Sequence, residues 1–197
     1  MIRLFAMILV APFWVLFLLA GGLVTFGQYS HDAGTKGLAE KMRLAQAAPP
    51  VEMAITAFTS DAPRSFPVEV NLRAQVAIGQ HVELVKTKNG KTVSERAIYI
   101  LVAPDAAGDA KVAYGAVILQ PSEVDIFADW AAQKVAKGGG LGSLGPVRTF
   151  DGLRDHPSDA DHIMNALANQ GFTAATNFTY MDPFLKGRAA GLAYQAA

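Results

Sequence analysis

The sequence contains no cysteine and no excess of charge of either sign, and both absences exclude classes of function. Without cysteine there is no disulfide, no cysteine-ligated zinc, no iron–sulfur cluster and no thiol nucleophile. The 17 basic residues balance the 17 acidic ones, so the composition offers no electrostatic basis for binding nucleic acid. We therefore predict no nucleic-acid partner.

Charge is also missing from a long run near the N-terminus. Residues 4–26, LFAMILVAPFWVLFLLAGGLVTF, are 23 residues without one charge. As a helix they would span about 34 Å, enough for a bilayer core of about 30 Å. The run is longer than the apolar region of a cleaved signal peptide, although small residues near Ala20 leave cleavage open as the alternative. We predict a single transmembrane anchor over 1–26 that contacts the lipid bilayer through 4–26.

The residues that flank this run bear on its orientation. Arg3 precedes it, while Lys36, Lys41 and Arg43 follow, so the bias in Lys and Arg that orients a membrane helix is weak. A short N-terminus ahead of a first span favours N-in. In a bacterial inner membrane, which the Ala- and Gly-rich composition favours, this orientation places the following domain in the periplasm.

The remaining chain divides at a pair of prolines. Residues 27–50 predict a stalk with one short helix, which Pro49-Pro50 ends. Residues 51–197 are about the length of one domain. We predict a single soluble α+β domain there.

Hydrophobic alternation predicts most of the strands. Every second residue from Val68 to Ile78 is apolar, a strict period of two as in a strand with one buried face. Asn89-Gly90 lies between two apolar runs and predicts a type I′ hairpin turn. The predicted strands are 51–58, 68–78, 81–87, 91–102, 111–119, 147–153 and 172–180. We expect a mainly antiparallel sheet of about 5–7 strands, packed by two or three helices.

Helix starts are predicted from capping residues. The three starts are marked by Ser122 with Asp125, by Ser158 with Asp161, and by Asp182 with Pro183. In the first two pairs the acidic residue stands three positions after a serine, which is the spacing of a capping box. In the third pair, proline occupies the favoured first helical position.

A glycine-rich stretch after the first of these helices imitates a dinucleotide loop. Gly140, Gly142 and Gly145 spell G-x-G-x-x-G. A dinucleotide loop leaves a strand and opens a helix, whose N-terminus holds the pyrophosphate. Here the glycines follow a helix, where the dipole has the wrong sign. We predict a helix stop and a connector, and no nucleotide partner.

One polar cluster has residues suited to chemistry. DHPSDADH, residues 155–162, includes His156, Asp159 and His162, which predict a metal site or an acid–base pair. The interpretation we favour is a helix start, because Ser158, Asp159 and Asp161 are all favoured at a helix N-terminus; the metal or catalytic site and a pH-sensitive contact are the alternatives. The helix start leaves only the histidines unexplained. No G-x-S-x-G nucleophile motif occurs, and His81 is expected to be a surface residue.

The C-terminal tail carries large apolar residues. They are Phe184, Leu185, Leu192 and Tyr194. A chain end is ordered only where something holds it. Either the tail packs on its own sheet, or it docks on a partner.

The order of these segments resembles the plan of the Surfeit-locus type of cytochrome oxidase assembly factor. The span at 4–26, the stalk ending at Pro49-Pro50 and the strands from Val51 match that plan. The family has a second membrane helix at its C-terminus, which the tail here is too short and polar to form. The resemblance is one of architecture, without a shared motif, and implies an assembly role at a respiratory complex.

The sequence therefore predicts a non-catalytic accessory subunit or assembly factor of a bacterial inner-membrane complex, without a cofactor. Two alternatives come from other classes. One is a membrane-tethered metal-dependent hydrolase that uses the 155–162 cluster. The other is a periplasmic module that binds a lipid or small ligand.

Overall fold

The computed structural model of the protein describes residues 35–59, 67–132 and 144–193. The chain divides into two compact units, Met1–Glu40 and Lys41–Ala197. The predicted anchor over 4–26 and the start of the predicted stalk lie outside the described residues. Within the part that is described, no helix is long and apolar enough to cross a membrane.

The two longest strands form one hairpin. β2 (Glu69–Lys88) and β3 (Lys91–Val102) pair antiparallel. Between them Asn89 and Gly90 have φ values of 53° and 73°. Positive φ at both central residues is what a type I′ turn requires. The turn predicted from this dipeptide is confirmed.

β2 replaces two of the predicted strands. We expected separate strands over 68–78 and 81–87, but the chain stays extended between them. The pairing with β3 shifts register between Val76 and His81. An irregularity of this kind bends a strand without ending it, so the glycine at position 79 marks a bend and not a turn.

The six strands of the described chain form one mixed sheet that closes on itself. The other four are β1 (Met53–Ala54), β4 (Val112–Leu119), β5 (Arg148–Asp155) and β6 (Thr173–Pro183). Their order is β1-β2-β3-β4-β6-β5, and β5 also pairs with the first residues of β2. Strands β2, β3, β4, β6 and β5 therefore form a ring. The β1–β2 and β4–β6 pairs are parallel and the others antiparallel. The α+β class and the strand number are as predicted.

Of the predicted strand over 51–58, only Met53–Ala54 is a strand. After β1 the chain makes a 3-10 turn, Ile55–Ala57. The Asn177 side-chain amide holds this turn by donating to three backbone oxygens, those of Ile55 at 3.3 Å, Thr56 at 3.1 Å and Phe58 at 3.0 Å. A contact between residues so distant in the chain overrides the local strand pattern.

Four helices accompany the sheet in the described residues. They are α1 (35–46), α2 (Pro121–Ala132), α3 (Ala160–Asn169) and α4 (Arg188–Leu192). Both predicted capping boxes are wrong. α2 begins at Pro121, and the Gln120 N–H donates to the Glu123 carboxylate at 2.8 Å. Proline is favoured there because the first helical residue needs no N–H partner. α3 begins after Asp159, whose side chain makes no cap bond.

The third predicted helix start is also wrong. Asp182 and Pro183 end β6, where they pair with Leu153 and Gly152 of β5. Proline is tolerated at this point because a strand end does not require every N–H to donate. The tail becomes helical only in α4.

Alternate residues of the central strands pack on opposite sides of the sheet. On one side of β3 are Ala97, Tyr99 and Leu101, which pack with Phe127 of α2. On the other side are Ile98, Ile100 and Val102, which pack with Ile163 and Leu167 of α3. Both faces of β3 are thus buried, so its C-terminal half reads as a continuous apolar run.

Candidate functional site

The predicted metal ligands lie around the start of α3. The Asp159 carboxylate is 3.6 Å from the Arg96 guanidinium. The His156 N–H donates to the Asp155 carboxylate at 2.7 Å, and His162 is exposed on the first turn of α3. Among the residues that the structure describes, no three His, Asp or Glu side chains lie together as metal ligands. The metal site stays a prediction.

The structure places another carboxylate near this cluster. Asp182 lies at the end of β6, opposite Leu153 of β5. Desolvation raises the pKa of its carboxyl group to about 6, with smaller contributions from Glu123 and Asp155, while Lys41 lowers it. Asp182 is exposed by accessible area, so its carboxyl group is only partly desolvated, and the nearby Glu123 and Asp155 carboxylates also disfavour its charge.

This pKa predicts a pH dependence of stability. Because the pKa is raised from 3.8 to about 6 in the folded state, the fold binds this proton more tightly than the unfolded chain does. The resulting stability is present at low pH and is lost as pH rises through 6. We expect Asp182→Asn to raise the melting temperature at pH 8 and to change it little at pH 4.

Thermal unfolding of the two proteins at a series of pH values measures this effect. Asp129→Asn, which removes the same charge from an exposed position of α2, is the matched control. A stabilisation by Asp182→Asn that is equal at both pH values would contradict the assignment.

Three of the four predicted partner-contact residues pack on the domain itself. Leu192 is 5% exposed and packs with Leu44 and Leu153, against which Phe184 also lies. Leu185 packs against the core that contains Phe127. Tyr194 lies outside the described residues. Phe184 and Leu185 remain partly exposed. A partner contact through the tail stays a prediction.

Of the glycine stretch, only the end is described. Leu144 forms an antiparallel bridge with Ala77 of β2, and the Gly145 N–H donates to the Val76 carbonyl at 2.8 Å. A Cβ at Gly145 would lie 2.7 Å from the Ile78 side chain. The last glycine therefore allows a close approach to β2.

The clearest exposed element is the far half of the β2–β3 hairpin, residues 84–96, which we call the arm. β5 pairs with β2 only as far as Ala74, and β4 pairs with β3 only from Ala97 onward. In the described chain no strand pairs with the outer edges of the arm. Such edges are templates for pairing with another chain.

The arm carries apolar residues in solvent and basic residues at its tip. Val85 and Val93 are 53% and 54% exposed. The basic residues are Lys86, Lys88 and Lys91. Lysines on an edge strand hinder unspecific pairing with another chain.

A cleft of about 230 Å³ lies at the base of the arm, against the start of α2. The His81 ring stacks on Tyr99 with centroids 5.5 Å apart, and its Nε2 is 3.4 Å from the Glu83 carboxylate. Burial raises the pKa of the Tyr99 hydroxyl, and Asp125 and then Glu83 raise it further. The cleft is therefore lined by the His81 imidazole and by carboxylates, while the Tyr99 phenol is buried behind the His81 ring.

The sequence predicted that His81 lies at the surface, and the structure confirms this. The sequence did not predict that Tyr99 and Asp125 lie beside it. Tyr99 and Asp125 come from β3 and α2, so no local spacing connects them with His81. The Asn89-Gly90 turn did indicate the hairpin.

No family model matches the chain, and neither the search of curated proteins nor that of solved structures returns a match.

Proposed function

We propose that this protein is a non-catalytic accessory subunit or assembly factor of a bacterial inner-membrane complex. In this proposal residues 4–26 anchor the chain in the bilayer, and the arm of the extramembrane domain binds the partner. A respiratory complex is favoured by the resemblance to the Surfeit type of architecture.

The arm is the observation that carries this proposal. Two-stranded hairpins are marginally stable in water without further packing. In the described chain no strand pairs with the outer edges of the arm, and two of its valines are half-exposed. A partner that covered the arm would therefore stabilise it. A partner strand added to either edge would supply main-chain hydrogen bonds, and its side chains would cover the valines.

Site-specific photo-crosslinking in native membranes tests the proposal. A photoreactive residue at Val85 or Val93 is expected to give a discrete crosslinked product with a membrane-complex subunit. Val112 and Ile126 are also exposed, at 44% and 43%, but lie on β4 and α2, so they are matched control positions. Equal crosslinking at all four positions would count against the arm.

The functional consequence is tested by substitution. We expect Val85→Glu to lower recovery of the partner with the full-length protein by roughly tenfold, because a buried unpaired charge costs more than about 1 kcal/mol at an interface. Val112→Glu should leave recovery unchanged. If the wild-type protein is recovered alone from mild detergent while known complexes survive, the accessory-subunit proposal fails.

A further inference from the structure

A second cleft, lined by residues outside the arm, has a different chemistry. It has a volume of about 340 Å³ and is lined by Arg73, Trp130, Val147, Arg148 and Thr149. These residues come from β2, the last turns of α2 and the start of β5. We call it the arginine cleft. None of the predicted sites includes it.

Arg148 stacks on an aromatic ring in this cleft. Its guanidinium carbon lies 4.4 Å from the centre of the Trp130 ring. Trp130 in turn packs edge-to-face on Phe150, with centroids 5.2 Å apart, and the Phe150 side chain is buried. A cation stacked on a fixed aromatic ring is oriented before any ligand arrives.

The charge of Arg148 has no counterion in the described chain. Its Nε and Nη2 atoms are buried and make no hydrogen bond. Burial lowers the pKa of its guanidinium. A cation without a partner costs free energy when it is removed from water. The Arg148 side chain is only partly buried and lines the cleft, so an anion there has access to its charge.

The rest of the lining adds positive charge. Arg73 is exposed and pairs across the sheet with Thr149. The Thr149 hydroxyl donates to the Glu52 carboxylate at 2.6 Å. The hydrogen-bond partner of this carboxylate is thus a threonine and not one of the two arginines. Glu52 thus brings one negative charge beside the cleft, but neither arginine forms an ion pair with a carboxylate of the described chain.

A second arginine in the same domain has the carboxylate partner that Arg148 lacks. Arg188 also lies at the edge of the domain, but its Nε and Nη2 atoms both donate to Glu69. Guanidinium groups bind planar oxyanions in this bidentate way. At Arg148 the described chain supplies no such oxyanion.

We propose that the arginine cleft binds a small molecule through a carboxylate or phosphate group. Arg148, stacked on Trp130, is the central cation of this site, and the exposed Arg73 is a second cation at its rim. A volume of about 340 Å³ is at the lower end of small-molecule sites. The inference does not depend on the proposed partner of the arm.

The fluorescence of Trp130 can report the binding of an anion in the arginine cleft. The chain has two tryptophans, Trp14 and Trp130, so full-length protein carrying Trp14→Phe reports on the cleft alone. Sodium phosphate and sodium citrate are titrated in detergent at constant ionic strength, with sodium chloride as the balancing salt. We expect a saturable change in Trp130 emission with at least one of the two oxyanions and none with chloride.

Three variants make this result specific. Arg148→Gln should abolish the response, and Arg73→Gln should weaken binding roughly tenfold, since each removes a charge-assisted hydrogen bond. Lys111→Gln, which removes one positive charge at the start of β4, should bind as the wild type. An unchanged affinity in Arg148→Gln, or no response to either oxyanion, overturns the proposal. If Arg148→Gln does not fold, unchanged binding by Arg73→Gln overturns it.

Discussion

Replacing Arg188 with alanine is expected to lower the melting temperature of the domain by on the order of 10 °C. Arg188 donates to both carboxylate oxygens of Glu69, and its Nη2 also donates to the backbone carbonyls of Leu44 and Ala47. The Glu69 side chain is 5% exposed. Without Arg188 its buried charge has no partner, which is far more costly than losing a surface ion pair.

The same arginine joins three parts of the chain. Leu44 and Ala47 lie at the end of α1, Glu69 begins β2, and Arg188 begins α4. The last carbonyls of a helix have no partner within it, and Arg188 supplies one. Its loss should therefore loosen the tail as well as lower stability, and thermal unfolding together with limited proteolysis would detect both effects.

Two further variants separate charge from geometry. Arg188→Lys keeps the charge but loses the planar fork, so an intermediate melting temperature is expected. Combining Arg188→Met with Glu69→Leu removes both charges and should recover much of the loss. If Arg188→Ala melts like the wild type, the ion pair contributes nothing to stability.

Replacing Gly152 with alanine is expected to destabilise the domain by about 3 kcal/mol. Gly152 lies in β5 between β2 and β6, where it pairs with Val70 and Pro183. A Cβ at this position would overlap the carbonyl oxygen of Asp182. Backbone cannot move aside as a flexible side chain does, so β5 and β6 would have to separate.

Chemical denaturation of Gly152→Ala and of a glycine control measures this effect. A methyl group added at Gly37 on α1 would meet no atom within 4 Å, so Gly37→Ala should be neutral or slightly stabilising. Gly115→Ala should have an intermediate effect on the free energy of unfolding, since a Cβ at this position would lie 2.8 Å from the Thr179 carbonyl oxygen. A Gly152→Ala variant as stable as Gly37→Ala would show that the β5–β6 contact is looser than described.

The elements that sequence predicted well are those whose cause is local. Asn89-Gly90 forms its turn because both residues accept positive φ. The strands over 91–102 and 111–119 were predicted within one residue of β3 and β4, because long β-branched runs favour extended backbone. Helices α2 and α3 were predicted at the right places but not from the right first residues, since several residues compete for each cap, and the helix predicted from Asp182 begins only at Arg188.

The arm and the arginine cleft also differ from local elements in how far the sequence predicts them. The hairpin was predicted from its turn, but its projection as an arm depends on where β4 and β5 stop pairing with it. In the arginine cleft Arg148 of β5 contacts Trp130 of α2, and no spacing in the sequence indicates that contact.

By itself, the sequence determined the α+β class, the hairpin turn and the alternation that separates buried from exposed faces, because each depends on residues within one turn or strand. Only the tertiary structure decided that β5 closes the ring on β2, that Asp182 and Pro183 extend a strand, and that Arg188 reaches Glu69. These outcomes depend on contacts between residues far apart in the chain, where pairing and burial outweigh local preference.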